Sequence, residues 1–264
     1  MKTLMKFILV LSLLINASLH CDQEPLTEIA SGEKFQNLYP SLEAYEATSN
    51  NNVARFFLVR HGENEGNVKR LIDGRTLNLP LTEKGRMDSL AAGEVIARKI
   101  DQIDLLVSSP MIRTRQTAAE IIKSFETTPT IVFDDRLMER YYGIFEGGPG
   151  ENYDPYEEKE AIAIARISTL ADRLAYREHP SMENYQETYD RMSSVIFEFA
   201  KQNLGKNIVI TTHGNSMWSL FLMGNAEQYN IFDHNFKFKI TNGCILVIES
   251  NGHSMKIKAF KGGQ

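Results

Sequence analysis

The chain is predicted to be an α/β protein, a three-layer α/β/α sandwich with a mostly parallel central sheet and an antiparallel hairpin at one edge. Three observations lead there. From about residue 54 onward, short apolar runs alternate with amphipathic stretches of helical period, the pattern of crossover units feeding a parallel sheet. The final runs are instead separated by Asn242-Gly243 and Asn251-Gly252, dipeptides that suit tight hairpin turns. A length of 264 residues, 42% of them hydrophobic, supplies a core for one large domain or two small ones.

In order along the chain, Lys2 and Lys6 precede an apolar stretch over residues 7–15, followed by the small residues Ala17 and Ser18. This is the layout of a secretory signal peptide over residues 1–20, which places the protein in the periplasm or outside the cell. The stretch is well short of the ~20 residues that span a bilayer. Cys21 stands where a bacterial lipoprotein carries its lipidated cysteine, although His20 takes the place of the usual small residue. Attachment to a membrane follows only if Cys21 is lipidated. The one other cysteine, Cys244, opens an apolar run and reads as a buried strand residue, so no disulfide framework is available.

Residues 21–52 are mixed and polar, with Pro25, Pro40 and a helix-like patch at 41–46. Their apolar residues are too few to bury a face, which gives a linker or surface arm ahead of a domain at 53–264. Within that domain, strands are expected at 56–59, 105–107, 130–133 and 207–212, and helices at 87–100, 115–125, 157–175, 185–201 and 217–222. Runs at 236–240 and 244–249 around Asn242-Gly243, and a third at 255–260, complete the expected edge hairpins. No periodic apolar stripe is left over to mark an oligomer interface.

Three motifs stand at the ends of predicted strands. Arg60-His61-Gly62-Glu63 follows the first run. Histidine is largely uncharged at neutral pH and can act as a nucleophile, and arginine offers a planar fork of donors to phosphate oxygens. After the second run, Ser108-Ser109-Pro110 leads to Arg113 in the first turn of a helix, a place already favourable to anions. Taken alone, Arg113 is equally a surface arginine that caps nothing. Thr212-His213-Gly214 repeats the first arrangement after a later strand. Parallel strands deliver their carboxyl ends to one edge of the sheet, so the three motifs converge.

Glu139 and Glu146 lie in a loop-like stretch after the run at 130–133 and are surface glutamates by default. Beside a phosphate site, one carboxyl group would have a task, because an alkoxide leaves phosphorus badly unless a proton is supplied. A net charge of −5, with lysines and arginines scattered, provides no footprint for nucleic acid.

The whole set resembles the histidine phosphatase superfamily, in the branch that includes the phosphoglycerate mutases and fructose-2,6-bisphosphatases. The likeness spans residues 54–262 and rests on Leu58 to Glu63 with Asn67, Ser108-Ser109-Pro110 with Arg113 and Gln116, Glu139 with Gly143 and Glu146-Gly147, and Thr212-His213-Gly214. Pro80-Leu81-Thr82 with Gly85, and Glu183 with Arg191, are similar to the family's fold-supporting segments. The resemblance implies that His61 takes the phosphoryl group as a phosphohistidine, that Arg60, Asn67, Arg113 and His213 hold its oxygens, and that Glu139 donates the proton. It implies a small phosphorylated substrate and neither metal nor other cofactor.

Departures from the family pattern bear on the substrate. A mutase is expected to carry a long lid with paired arginines, whereas residues 148–158 have no basic residue and Lys159 is the first. Their acidity would repel a second anionic group, although Glu157 and Glu158 are equally a solvated helix start. Asn215 stands where many relatives have a second glycine, and the segment from Asp73 to Thr76 lacks a tryptophan common in mutases. His179, His234 and His253 have no partners at metal spacing. Hydrolysis of phosphomonoesters is thus the leading expectation. Phosphoglycerate mutase-type transfer is the second, and a non-catalytic phosphate-binding module, in which damage to His61 or His213 would be expected, is the third.

Overall fold

The computed structural model describes residues 39–152, 167, 169–225 and 240–262. One six-stranded sheet runs in the order β3-β2-β4-β1-β5-β6. Its strands are β1 (Ala54–Arg60), β2 (Leu105–Ser108), β3 (Thr130–Phe133), β4 (Asn207–Thr212), β5 (Ile245–Ser250) and β6 (Met255–Lys261). The first four are parallel to one another, while β5 runs antiparallel to β1 and β6 antiparallel to β5. β1 lies in the middle, and Ala54 to Val59 are all buried. That is why its sequence is a continuous apolar run rather than an alternating one.

The helices are α1 (Glu65–Val68), α2 (Glu83–Ala97), α3 (Ile112–Ile122), α4 (Leu170–Ala175), α5 (Tyr185–Gln202) and α6 (Gly214–Asn225). Phe57, Val59 and Val209 pack with Val95 and Ile96 of α2 and Ile121 of α3 on one face of the sheet. Phe56, Leu58 and Ile208 pack with Val195 and Ile196 of α5 and Leu220 of α6 on the other. Alternate residues of β1 thereby feed two separate cores, and each fully buried side chain of this size contributes about 1.5–3 kcal/mol. The three layers and the antiparallel edge are those expected.

Three helix starts, those of α2, α3 and α6, lie earlier than apolar periodicity alone suggests, whereas α5 begins at Tyr185 as expected. α2 begins at Glu83 because the Thr82 side chain accepts from the Gly85 N–H, and its polar first turn carries no apolar signal. α1 was not expected at all; it is one turn, closed at its start by a reciprocal pair between Asn64 and Asn67. Asparagine stands there in place of the glutamate or glutamine that marks such a box in a sequence.

Two expectations need correction. The patch at 41–46 is no free arm: Leu42 and Tyr45 are buried in the first core, Ser41 bridges to Phe260 of β6, and Lys99 Nζ donates to the carbonyls of Glu43 and Tyr45. Two well-spaced apolar side chains suffice where a ready-made sheet face receives them. The hairpin around Asn242-Gly243 is also not formed by β5, whose two edges are taken by β1 and β6; its first arm, save Ile240, lies outside the described residues. So do residues 1–38, with the expected signal peptide and Cys21, and most of the expected helix at 157–175.

Candidate active site

β1 and β4 are adjacent and parallel, with Arg60 opposite Thr212, so the residues that follow them emerge side by side. The His61 N–H donates to the Thr212 carbonyl at 3.0 Å, and the rings of His61 and His213 lie 5.3 Å apart at 65°. Arg113 arrives in the first turn of α3, just beyond β2, and Glu139 from the loop beyond β3. A close approach fixes the first of these turns. A Cβ on Gly62 would lie 2.0 Å from the Gly85 carbonyl oxygen, and one on Gly85 would lie 1.9 Å from that of Glu63. Thr82 completes the clasp, its N–H donating to the Glu63 carbonyl and its hydroxyl to the Glu63 carboxylate.

Hydrogen bonds assign the proton on each imidazole. His61 Nδ1 lies 2.8 Å from the Gly62 carbonyl oxygen, which can only accept, so Nδ1 carries the hydrogen and Nε2 the lone pair. His213 Nδ1 accepts from Arg113 Nε–H at 3.2 Å, which leaves Nε2–H to donate to Ser109 Oγ at 2.8 Å. Burial, then the charges of Arg113 and Arg60, hold His61 well below the usual histidine range. Burial and Arg113 do the same to His213. Both rings are therefore neutral at pH 7.

The site residues fall into two groups. Arg60, His61, Asn67 and Glu139 line a cavity of about 190 Å³. Arg113 and His213 are fully buried, outside that lining. Arg60 donates from Nη1 to the Ile240 carbonyl at 2.5 Å, and its buried Nε–H has no partner among the described residues. α6 starts on a glycine where Arg60 passes, since a Cβ on Gly214 would meet Arg60 Nε at 3.2 Å. Asn67 accepts through Oδ1 from the Asn64 N–H and from Asn242 Nδ2. Its own amide N–H groups thereby remain as donors for the cavity.

The Glu139 carboxylate is held in place by four donors. Oε1 accepts from the Arg140 and Ser216 N–H groups at 2.8 and 3.0 Å and from Ser216 Oγ at 3.3 Å, and Oε2 accepts from the Asn215 N–H at 3.2 Å. Two of those backbone groups belong to the first turn of α6, where unpaired N–H groups await an acceptor. Behind it, Glu183 pairs with Arg191 at 2.7 Å and with Arg75 at 2.7 Å. Arg191 also donates to the carbonyls of Arg136 and Met138, and Arg75 Nε to that of Glu139. The expected supporting pair thus fastens both sides of the loop that carries Glu139.

Sequence reasoning missed three residues here. Asn242, read only as a turn residue, ties the His61 carbonyl to Asn67. Tyr142 lines the cavity and its hydroxyl accepts from Asn215 Nδ2 at 2.5 Å; its one signal was its place between Glu139 and Gly143. Asp73, noted for a missing tryptophan nearby, lines the cavity and forms an ion pair with Arg113 at 3.1 Å. Among the described residues, no three of His, Cys, Asp and Glu come together in a way that could hold a metal ion.

The chain is 28% identical over 206 residues to an uncharacterised phosphatase, PhoE, of Bacillus subtilis, a match that covers 77% of the chain and 92% of the relative. It is 28% identical over 229 residues to a 2,3-bisphosphoglycerate-dependent phosphoglycerate mutase of Borreliella afzelii, covering 78% and 90%. Among solved structures, a mycobacterial glucosyl-3-phosphoglycerate phosphatase superposes with a TM-score of 0.63 at 19% identity, covering 79% of this chain and 98% of that one. The sequence pattern of the histidine phosphatase superfamily (branch 1) matches residues 56–261, and the chain belongs to that superfamily, whose enzymes of this kind are phosphatases and phosphoglycerate mutases.

Proposed function

We propose that the protein is a phosphatase that hydrolyses phosphomonoesters of small molecules through a phosphohistidine on His61, with Glu139 as the proton donor. The observation that carries this reading is the tautomer of His61: a buried neutral ring whose Nδ1 is committed to the Gly62 carbonyl has only Nε2 to offer as a nucleophile. In the first step that lone pair forms a bond to phosphorus, the ester P–O bond breaks, and Glu139 gives its proton to the leaving oxygen. The negative charge of an arriving phosphoryl group favours the protonated form of a carboxyl group beside it. In the second step water attacks phosphorus, the P–N bond returns its electrons to Nε2, and Glu139 takes up a proton from the water. Arg60, with Arg113 behind it, offsets the charge on the transferred group, and the Asn67 amide and the neutral His213 ring offer hydrogen bonds rather than charge.

Hydrolysis is favoured over mutase transfer by the charge of the cavity. Among the described residues of its lining, Arg60 is the one cationic residue, against the carboxylates of Asp73 and Glu139, and the wall also includes Leu71, Ile72 and Tyr142. A second acid group on the substrate would find no further cation among these described residues. Incubation with para-nitrophenyl phosphate in metal-free buffer tests the reading, with His61→Ala expected to lose about 1000-fold or more. No release by the wild type overturns it. With 3-phosphoglycerate and a trace of the bisphosphorylated acid, free phosphate is expected; isomer without phosphate would favour the mutase.

Export belongs to the same proposal, supported by the charged start and short apolar stretch of residues 1–20. Sequencing of the mature amino terminus from the cell envelope or medium is expected to begin near Cys21. An intact Met1 in the cytoplasm would contradict it.

A further inference from the structure

We propose that Asp73 sets the affinity of this site for anions: its carboxylate holds the edge of Arg113 that a phosphoryl group requires, so anions bind in competition with it and acid favours their binding. The inference rests on the phosphatase reading for the identity of the anion, and on the geometry of Arg113 for the rest.

All five N–H groups of Arg113 have protein partners. Nε donates to His213; Nη1 donates to Asp73 Oδ1 at 3.1 Å and the Leu77 carbonyl at 3.1 Å; Nη2 donates to the carbonyls of Asp73 at 3.0 Å and Gly74 at 2.8 Å. A guanidinium so engaged has nothing left for a phosphate oxygen until one partner yields. The three carbonyls are the least able to move. Their segment is clamped by the Glu146 carboxylate, which accepts from the N–H groups of Arg75 and Thr76, and by Arg75, which reaches the Glu139 carbonyl and Glu183. The Asp73 carboxylate differs in two ways: it turns about its own side-chain bonds, and it lines the cavity from which the substrate arrives.

A carboxylate and a phosphoryl group recognise the same fork of donors, so the exchange is one anion for another on Arg113. The side chains of the pair are 0% and 5% exposed, and Asp73 Oδ2 also accepts from the Asn64 amide. Burial raises Asp73 above the usual carboxylate range against the pull of Arg113 and the Asn64 bond, and the neighbouring charges of Glu139 and Glu146 raise it further. Arg60 and His61 face the same cavity, and His61 is neutral. Asp73 consequently takes up a proton at a higher pH than an exposed aspartate, and in that form it neither holds Arg113 strongly nor repels an incoming anion.

The test is the dissociation constant of inorganic phosphate, measured by calorimetry on the full chain for wild type, Asp73→Asn and Asp73→Ala at about pH 7.5 and pH 5, alongside turnover of para-nitrophenyl phosphate. Both variants are expected to bind phosphate about tenfold more tightly than wild type at the higher pH. The advantage should shrink as the pH is lowered, because the wild-type carboxyl takes up its proton at a higher pH than an exposed aspartate does. The alanine variant guards against an asparagine amide that points its N–H groups at Arg113. Equal or weaker binding by both variants at the higher pH, or the same advantage at both pH values, overturns the proposal. Wild-type turnover with unchanged binding in the variants sinks only the role of Asp73. Absence of wild-type turnover sinks the phosphatase reading and leaves the binding ratio to decide about Asp73.

Discussion

His61 keeps its lone pair to lower pH than a free histidine does, because burial and two arginine charges oppose its protonation. The acid limb of the kcat/KM profile is therefore expected below the free-histidine value of about 6.5. A limb at or above that value would mean that the ring is more exposed in solution. For Glu139→Gln, turnover of alkyl phosphates should fall by about 100-fold or more, and turnover of nitrophenyl phosphate far less, since a nitrophenolate leaves with little need of a proton. Equal losses on the two substrates would assign the proton to another group. At this scale the sequence was most legible where a residue stands directly behind an apolar run, as Arg60, His61 and His213 do. It was least legible where a role comes from a distant partner. Asp73 is defined by Arg113, 40 positions away, and Asn242 by His61, 181 positions away, and no local pattern reports such pairs.

Among the elements, the join between α5 and the loop bearing Glu139 has the clearest energetic signature. Burial disfavours the charge of Glu183, but its bonds to Arg191 and the nearby Arg75 more than offset that and hold it below the usual carboxylate range. A group lowered in this way adds stability above its unfolded value and loses it as pH falls through its folded one. Glu183→Gln should cost about 2–3 kcal/mol at pH 7, less than the ~3–5 kcal/mol of a fully buried pair because these side chains are partly exposed. The gap from wild type should close on acidification from about pH 5 towards pH 3. Urea unfolding at several pH values measures it, and a gap independent of pH would assign the loss to packing. β1, β2 and β4 were readable because burial within the parallel part of the sheet makes them nearly continuous apolar runs. Helix starts were less so, since Thr82 and Asn64 act through hydrogen bonds that leave no apolar trace.

On the scale of the whole molecule, the segment before β1 is part of the folded body. Leu42 is fully buried, and Tyr45 packs edge-on against Phe57 at 6.2 Å while its hydroxyl donates to Glu249. Leu42→Ala should destabilise by about 2–4 kcal/mol. A chain beginning at residue 53 should melt lower than one beginning at residue 39, and equal melting temperatures would return this segment to the status of an arm. The sequence hid the contact because two apolar residues in six make no periodic face; what buries them is a surface assembled from elements far along the chain.

The position of β1 between β4 and β5 governs when the molecule can assemble. Arg55 pairs with Asn207, 152 positions later, and the other edge of β1 waits for β5, later still. Ordering the first strand of the sheet therefore means closing a loop of most of the domain, a slow event with a high sequence separation. On the ribosome, the strand that leads into His61 has neither neighbour until the last quarter of the chain has begun to appear. The histidine proposed to take the phosphoryl group is thus among the first residues of the domain to be synthesised and among the last to be housed.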